Sequence, residues 1–160
     1  MNLSVRLHTT SSVLTLTLIA FIAQPATAED DGYLQITGDD LHSVFYESTV
    51  VSEYQRISGG IQNEQFIETH HANGETDYQE LGTPKIKGSW QIVGDDKICY
   101  RYPGNKVFTQ TYCFFVYKSG TCYYNYGSRQ MTLNGPYDWR LWTSRFVRKG
   151  DGGTCDAPVS

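Results

Sequence analysis

Along this chain apolar side chains recur at every second position far more often than at every third or fourth. Thr49 to Ile57, Glu64 to His71, Glu75 to Leu81 and the long stretch Gly88 to Tyr126 alternate β-branched and aromatic residues with polar ones, the signature of half-buried strands. Turn chemistry separates these runs. Asn73-Gly74 reads as a type I′ hairpin turn, because both residues accept positive φ. Gly94-Asp95-Asp96, Pro103-Gly104-Asn105 and Ser119-Gly120 divide Gly88 to Tyr126 into a meander, and Gly127-Ser128 and Asn134-Gly135-Pro136 flank a further strand from Arg129 to Leu133. Trp139 to Val147 reads as the last long strand. One segment alone has helical spacing: after Thr37, with Asp39 and Asp40 at the positive end of the helix dipole, Leu41, Val44 and Phe45 fall at i, i+3 and i+4. That narrow apolar stripe suits a short plug on an end or face of a sheet. Eight or nine evenly spaced antiparallel strands predict a mainly β fold. A small up-and-down barrel or strongly curled sheet is expected, with a β-sandwich as the alternative.

The first 28 residues are read apart from this pattern. Arg6 and His8 head an apolar core from Val13 to Ala23, and Ala26-Thr27-Ala28 forms a small-x-small cleavage site, as in a secretory signal peptide. The apolar run falls short of the ~20 residues that span a bilayer. Residues 1–28 are therefore expected to be removed, leaving 29–160 as one domain, periplasmic or secreted, with no integral membrane segment. With 17 acidic against 13 basic residues the chain is mildly acidic. That balance argues against nucleic acid as a partner, since phosphate neutralisation supplies most of such affinity.

Four cysteines follow the export signal: Cys99, Cys113, Cys122 and Cys155. In an oxidising compartment they predict two structural disulfides, and the absence of a CxxC spacing argues against a redox pair or a zinc ribbon. Cys99 and Cys113 fall on the two arms of one hairpin. A turn at Ser119-Gly120 sets Tyr117 opposite Cys122, about 13 Å along the strand from Cys113 at ~3.3 Å per residue, beyond the reach of a disulfide. The expected pairs are Cys99–Cys113 and Cys122–Cys155.

Candidate chemistry is sparse. His70 and His71 point to opposite faces of a strand, so they read as a surface pair near the Asn73-Gly74 turn; Glu68 and His70 share a face. Glu53, Glu68 and Asp77 are the acids to inspect for inward placement, and no nucleophile elbow, metalloprotease or phosphate-loop motif is present. No catalytic residue, metal or cofactor is therefore expected. The 12 tyrosines are the salient feature. Tyr100 and Tyr102 share one strand face, Tyr124 and Tyr126 another, and Trp142 stands among arginines near the C-terminus. Rigid amphipathic rings of this kind build binding surfaces. The expected ligand-binding residues are Tyr100, Tyr102, Tyr124 and Trp142, for an unknown protein or small molecule. An inhibitor of an envelope or host hydrolase is the alternative, and a small hydrolase a third reading.

The leader, the short helix ending near Phe45, Asn73-Gly74, Gly88-Ser89-Trp90, Ile98-Cys99-Tyr100 and Cys113 together resemble a family of short exported proteins of unknown function found mainly in alphaproteobacteria. The resemblance implies location and fold and carries no catalytic residue. Gly88-Ser89-Trp90 is also similar to the GxW of lipocalins. There the motif opens the first barrel strand, whereas here it sits mid-chain, so no ligand pocket is carried over from it.

Overall fold

The computed structural model describes residues 32–55, 65–103 and 110–155; the predicted leader lies outside them. Strand β1 (Leu34–Ile36) and helix α1 (Gly38–Phe45) come first. Seven strands follow: β2 (Thr49–Tyr54), β3 (Gln65–His70), β4 (Glu75–Glu80), β5 (Ile86–Val93), β6 (Lys97–Tyr102), β7 (Gln110–Ser119) and β8 (Cys122–Gly127). A 3-10 turn at Ser128–Gln130, the short strands β9 (Met131–Thr132) and β10 (Gly135–Pro136), and β11 (Ser144–Arg148) end the described chain.

From β2 to β8 each strand pairs antiparallel with its sequence neighbour, and β11 pairs with β8 on one side and β2 on the other. Eight strands thereby close into an up-and-down barrel, and the sandwich alternative falls away. Closure satisfies the edges that an open sheet would expose. β1 stands outside the barrel. It pairs with Val116–Lys118 on the edge of β7 opposite β8, continuing the line of β6, whose own pairing on β7 ends at Phe115.

Strand parity divides the side chains between two cores. The inner core gathers Val50, Trp90, Ile98, Tyr100, Val116 and Phe146. Leu41, Val44 and Phe45 of α1 are buried against it, so the helix plugs one end of the barrel. Thr37 takes the extended N-cap conformation without a side-chain cap; the Gly38 N–H instead donates to the Asp95 carbonyl at 2.7 Å. The β5–β6 turn, with Gly94 and Asp95 both at positive φ, thus anchors the start of the plug.

The outer core lies over β7 and β8. Tyr117, Tyr124 and Tyr126 point away from the lumen yet are buried. Trp139 covers them, stacked on Tyr33 at 4.7 Å and edge-on to Tyr117 at 5.1 Å. Both disulfides lie on this outer side: Cys99–Cys113 joins directly opposed residues of β6 and β7, and Cys122–Cys155 ties the C-terminal segment to β8. They are the two expected pairs. Nearby, Glu53 and Arg145, opposed on β2 and β11, form an ion pair buried on the outer face, with the Trp142 ring 4.9 Å from the guanidinium.

Four local expectations are corrected. The β7–β8 turn is Gly120-Thr121, with Ser119 opposite Cys122 and Tyr117 opposite Tyr124; Gly120 takes the positive φ that the first central position of such a turn requires. The Asn73-Gly74 hairpin is not type I′, since Gly74 alone has positive φ. His71 and Glu75 bracket a three-residue loop, and the Asn73 carboxamide oxygen accepts the Glu75 N–H at 3.0 Å. Arg129 to Leu133 is a 3-10 turn leading into a two-residue strand. Trp139 to Val147 is not one strand: Asp138 folds the chain back by accepting the Arg140 N–H at 2.9 Å and its guanidinium at 2.8 Å, and regular pairing begins only at Ser144. Phe146 consequently points into the lumen, and Trp139 and Trp142 join the outer core.

Candidate functional site: an acid in an aromatic barrel lumen

Above the α1 plug the lumen stays open as a cavity of about 410 Å³, with Phe45, Val50, Tyr100 and Phe146 low in it and Tyr54, Ile86 and Tyr112 toward its mouth. Barrels of eight strands are just wide enough to be filled by side chains or to keep room for one small ligand. This one keeps the room. Its wall is a continuous band of rings: Tyr54 stacks on Phe66 at 4.5 Å, Phe66 meets Tyr78 at 5.2 Å, Tyr78 meets Tyr102 at 5.4 Å, and Tyr102 meets Tyr112 at 6.3 Å.

Glu68 stands inside that band. Alternation along β3 sends Phe66, Glu68 and His70 inward together, and Glu68 is only 4% exposed. Its Oε1 accepts the Thr76 hydroxyl at 2.9 Å and a short bond from the Tyr102 hydroxyl. Gly88 makes the second bond possible. It sits on β5 between Thr76 on β4 and Tyr102 on β6, and a Cβ there would stand 2.5 Å from the Tyr102 ring. The missing side chain is the slot through which Tyr102 lies flat and reaches Glu68. Burial pushes Glu68 up to about 7 despite the two hydroxyls, which favour its anion.

Deeper, toward the plug, His70 is 1% exposed and its Nε2 lies 2.9 Å from the Tyr100 hydroxyl. It is therefore no surface residue, as the sequence reading had it; burial holds it down to about 4, so its ring is neutral. His71 does face out, 3.2 Å from Asp77. Nearer the mouth, the Tyr78 hydroxyl donates to Glu80 at 2.6 Å and lies 3.1 Å from that of Tyr54. Burial raises Tyr54, Tyr78, Tyr100 and Tyr102, and the charge of Glu68 raises Tyr54, Tyr100 and Tyr102 further. All four hydroxyls keep their protons. Across the cavity the Asn125 amide donates to Ser144 Oγ at 2.9 Å, while its Oδ1 finds no hydrogen-bond partner among the described residues.

Of the four residues expected to bind ligand, the structure brings Tyr100 and Tyr102 together in the lumen. It places Tyr124 and Trp142 on the opposite side of the wall, lining a separate outer groove. Glu53 and Asp77, the other acids singled out, both face outward. Tyr54, Tyr78, Glu80 and Asn125 escaped the sequence reading, although the parity of Thr76, Tyr78 and Glu80 on one strand was available to find two of them. Among the described residues no group of three His, Cys, Asp or Glu side chains is placed to hold a metal ion, and no helix is long and apolar enough to cross a membrane. Comparison with protein-family models, curated proteins and solved structures finds no match to this chain.

Proposed function

We propose that this protein is a non-catalytic binding module, exported to the periplasm or beyond the cell, that holds one small and mainly apolar molecule in its barrel lumen. The observation that carries this reading is the cavity itself. Its volume of about 410 Å³ falls within the ~300–1,000 Å³ of small-molecule sites, and its lining has their character, mostly aromatic with a few placed polar groups. The unpartnered Oδ1 of Asn125 is a second support, because a buried acceptor without a donor costs stability that a ligand donor would recover. The placement of the tyrosines favours a lumen ligand over a protein partner: Tyr100, Tyr117, Tyr124 and Tyr126 are all buried and offer no flat exposed patch. Two disulfides are compatible with an oxidising compartment, and export completes the proposal.

The test is titration with N-phenyl-1-naphthylamine, an uncharged fluorescent probe. Saturable one-to-one enhancement is expected. Ser52→Phe, which fills the lumen from a small buried position, is expected to weaken binding at least tenfold while the far-UV spectrum and both disulfides persist. Undiminished binding by the folded variant would place the probe elsewhere and defeat the lumen reading.

A further inference from the structure

Building on a lumen site, we propose that the ligand is an organic amine, bound as its ammonium ion with the charge seated on Glu68 and its body within the aromatic band. Three observations converge on this class. Among the described residues the cavity lining contains two carboxylates, Glu68 and Glu80, and no Lys, Arg or His, so these residues offer an anionic ligand no counter-charge. Among the described residues Glu68 receives only neutral hydroxyl donors, from Thr76 and Tyr102. A buried carboxylate lacking a cation is an incomplete pair, and the ammonium completes it. The surrounding rings of Tyr54, Phe66, Tyr78, Tyr102 and Tyr112 form a contiguous wall, which is the environment that stabilises a desolvated cation through ring faces.

Protonation then governs uptake. The groups facing Glu68 are the Thr76 and Tyr78 side chains of β4, Tyr100 and Tyr102 of β6, Tyr54 of β2, Tyr112 of β7, His70 on its own strand and Glu80 nearer the mouth. The tyrosines Tyr54, Tyr78, Tyr100 and Tyr102 stay protonated and His70 stays neutral across the working range. Glu68, pushed up to about 7, is the group that switches. Its ionised form binds the ammonium, so affinity falls as pH drops below about 7.

Isothermal calorimetry on the oxidised protein with tryptamine, 3-ethylindole and indole-3-propionate compares a cation, a neutral analogue and an anion built on the same indole ring. At pH 8 tryptamine is expected to bind at least tenfold more tightly than 3-ethylindole, and indole-3-propionate more weakly than either. The tryptamine preference is expected to shrink toward unity at pH 5.5 and in Glu68→Gln. Equal affinities for cation and neutral probe at pH 8, lost together in Ser52→Phe, would overturn the amine assignment and leave the lumen site standing. Equal affinities untouched by Ser52→Phe, or no binding by any of the three, would overturn both. A cation preference that survives in folded Glu68→Gln would also overturn the assignment.

Discussion

Glu68 and His70 stand two residues apart on one strand, point into the same lumen, and are pushed in opposite directions by the same cause. Burial raises Glu68 from an ordinary 4.5 to about 7 and lowers His70 from 6.5 to about 4. The raised carboxyl contributes stability that is whole below pH ~4.5 and is lost as pH rises to about 7. The lowered imidazole contributes stability that is whole above pH ~6.5 and is lost as pH falls to about 4. Between pH ~4.5 and ~6.5 the two slopes oppose each other, each at most about 1.4 kcal/mol per pH unit. Urea midpoints of the native protein across that window are therefore expected to vary little from these groups. Glu68→Gln should become more stable as pH rises through it and His70→Gln less stable; parallel profiles for the two variants would contradict the assignment. Gly88 is the other residue whose role is spatial. Gly88→Ala should cost about 1–3 kcal/mol, as overpacking does, and should push Glu68 above its native value, because Tyr102 leaves the carboxylate. An NMR titration of the Glu68 carboxyl that found no upward shift would show that Tyr102 keeps its place by other means.

Among the elements, α1 and the two disulfides decide what the barrel can do. The helix is only eight residues long, too short to be stable alone, and it holds because Leu41, Val44 and Phe45 fill one barrel end. Its other consequence is that the cavity opens toward the opposite end. The disulfides differ in what they close. Cys99–Cys113 spans 14 residues within one hairpin, and Cys122–Cys155 spans 33 and carries the C-terminal segment onto β8. Removing either by Cys→Ser exchange of both partners should cost about 2–4 kcal/mol, with the longer loop costing roughly 0.8 kcal/mol more on the chain-entropy account. Urea denaturation of Cys99→Ser/Cys113→Ser and Cys122→Ser/Cys155→Ser tests this order; the reverse order would mean that native-state contacts outweigh the loop entropy.

At the scale of the whole molecule the barrel separates two aromatic populations that the chain interleaves. Tyr100 and Tyr102 line the lumen, while Tyr117, Tyr124 and Tyr126 pack outside beneath Trp139. Period-two alternation, turn residues at regular intervals and cysteines on paired arms were enough to expect a curled or closed antiparallel sheet, the plug and Cys99–Cys113, because each is a local or nearest-neighbour property. Cys122–Cys155 followed by elimination, and closure, which pairs β11 with β2, was not fixed, leaving the sandwich open as an alternative. Alternation also showed that Glu68 and His70 share a face and that Tyr100 and Tyr102 do. It does not say which face becomes the inside, since that depends on the sense in which the closed sheet curls. It lost the parity of Trp139 to Val147 once Asp138 broke the strand. Only the tertiary structure brought Thr76, Gly88 and Tyr102 from three adjacent strands onto Glu68, because that register joins residues up to 34 positions apart. The central meander, with its neighbour-to-neighbour pairing, belongs to the sequence; the acid held inside an aromatic cavity belongs to the closure of the barrel.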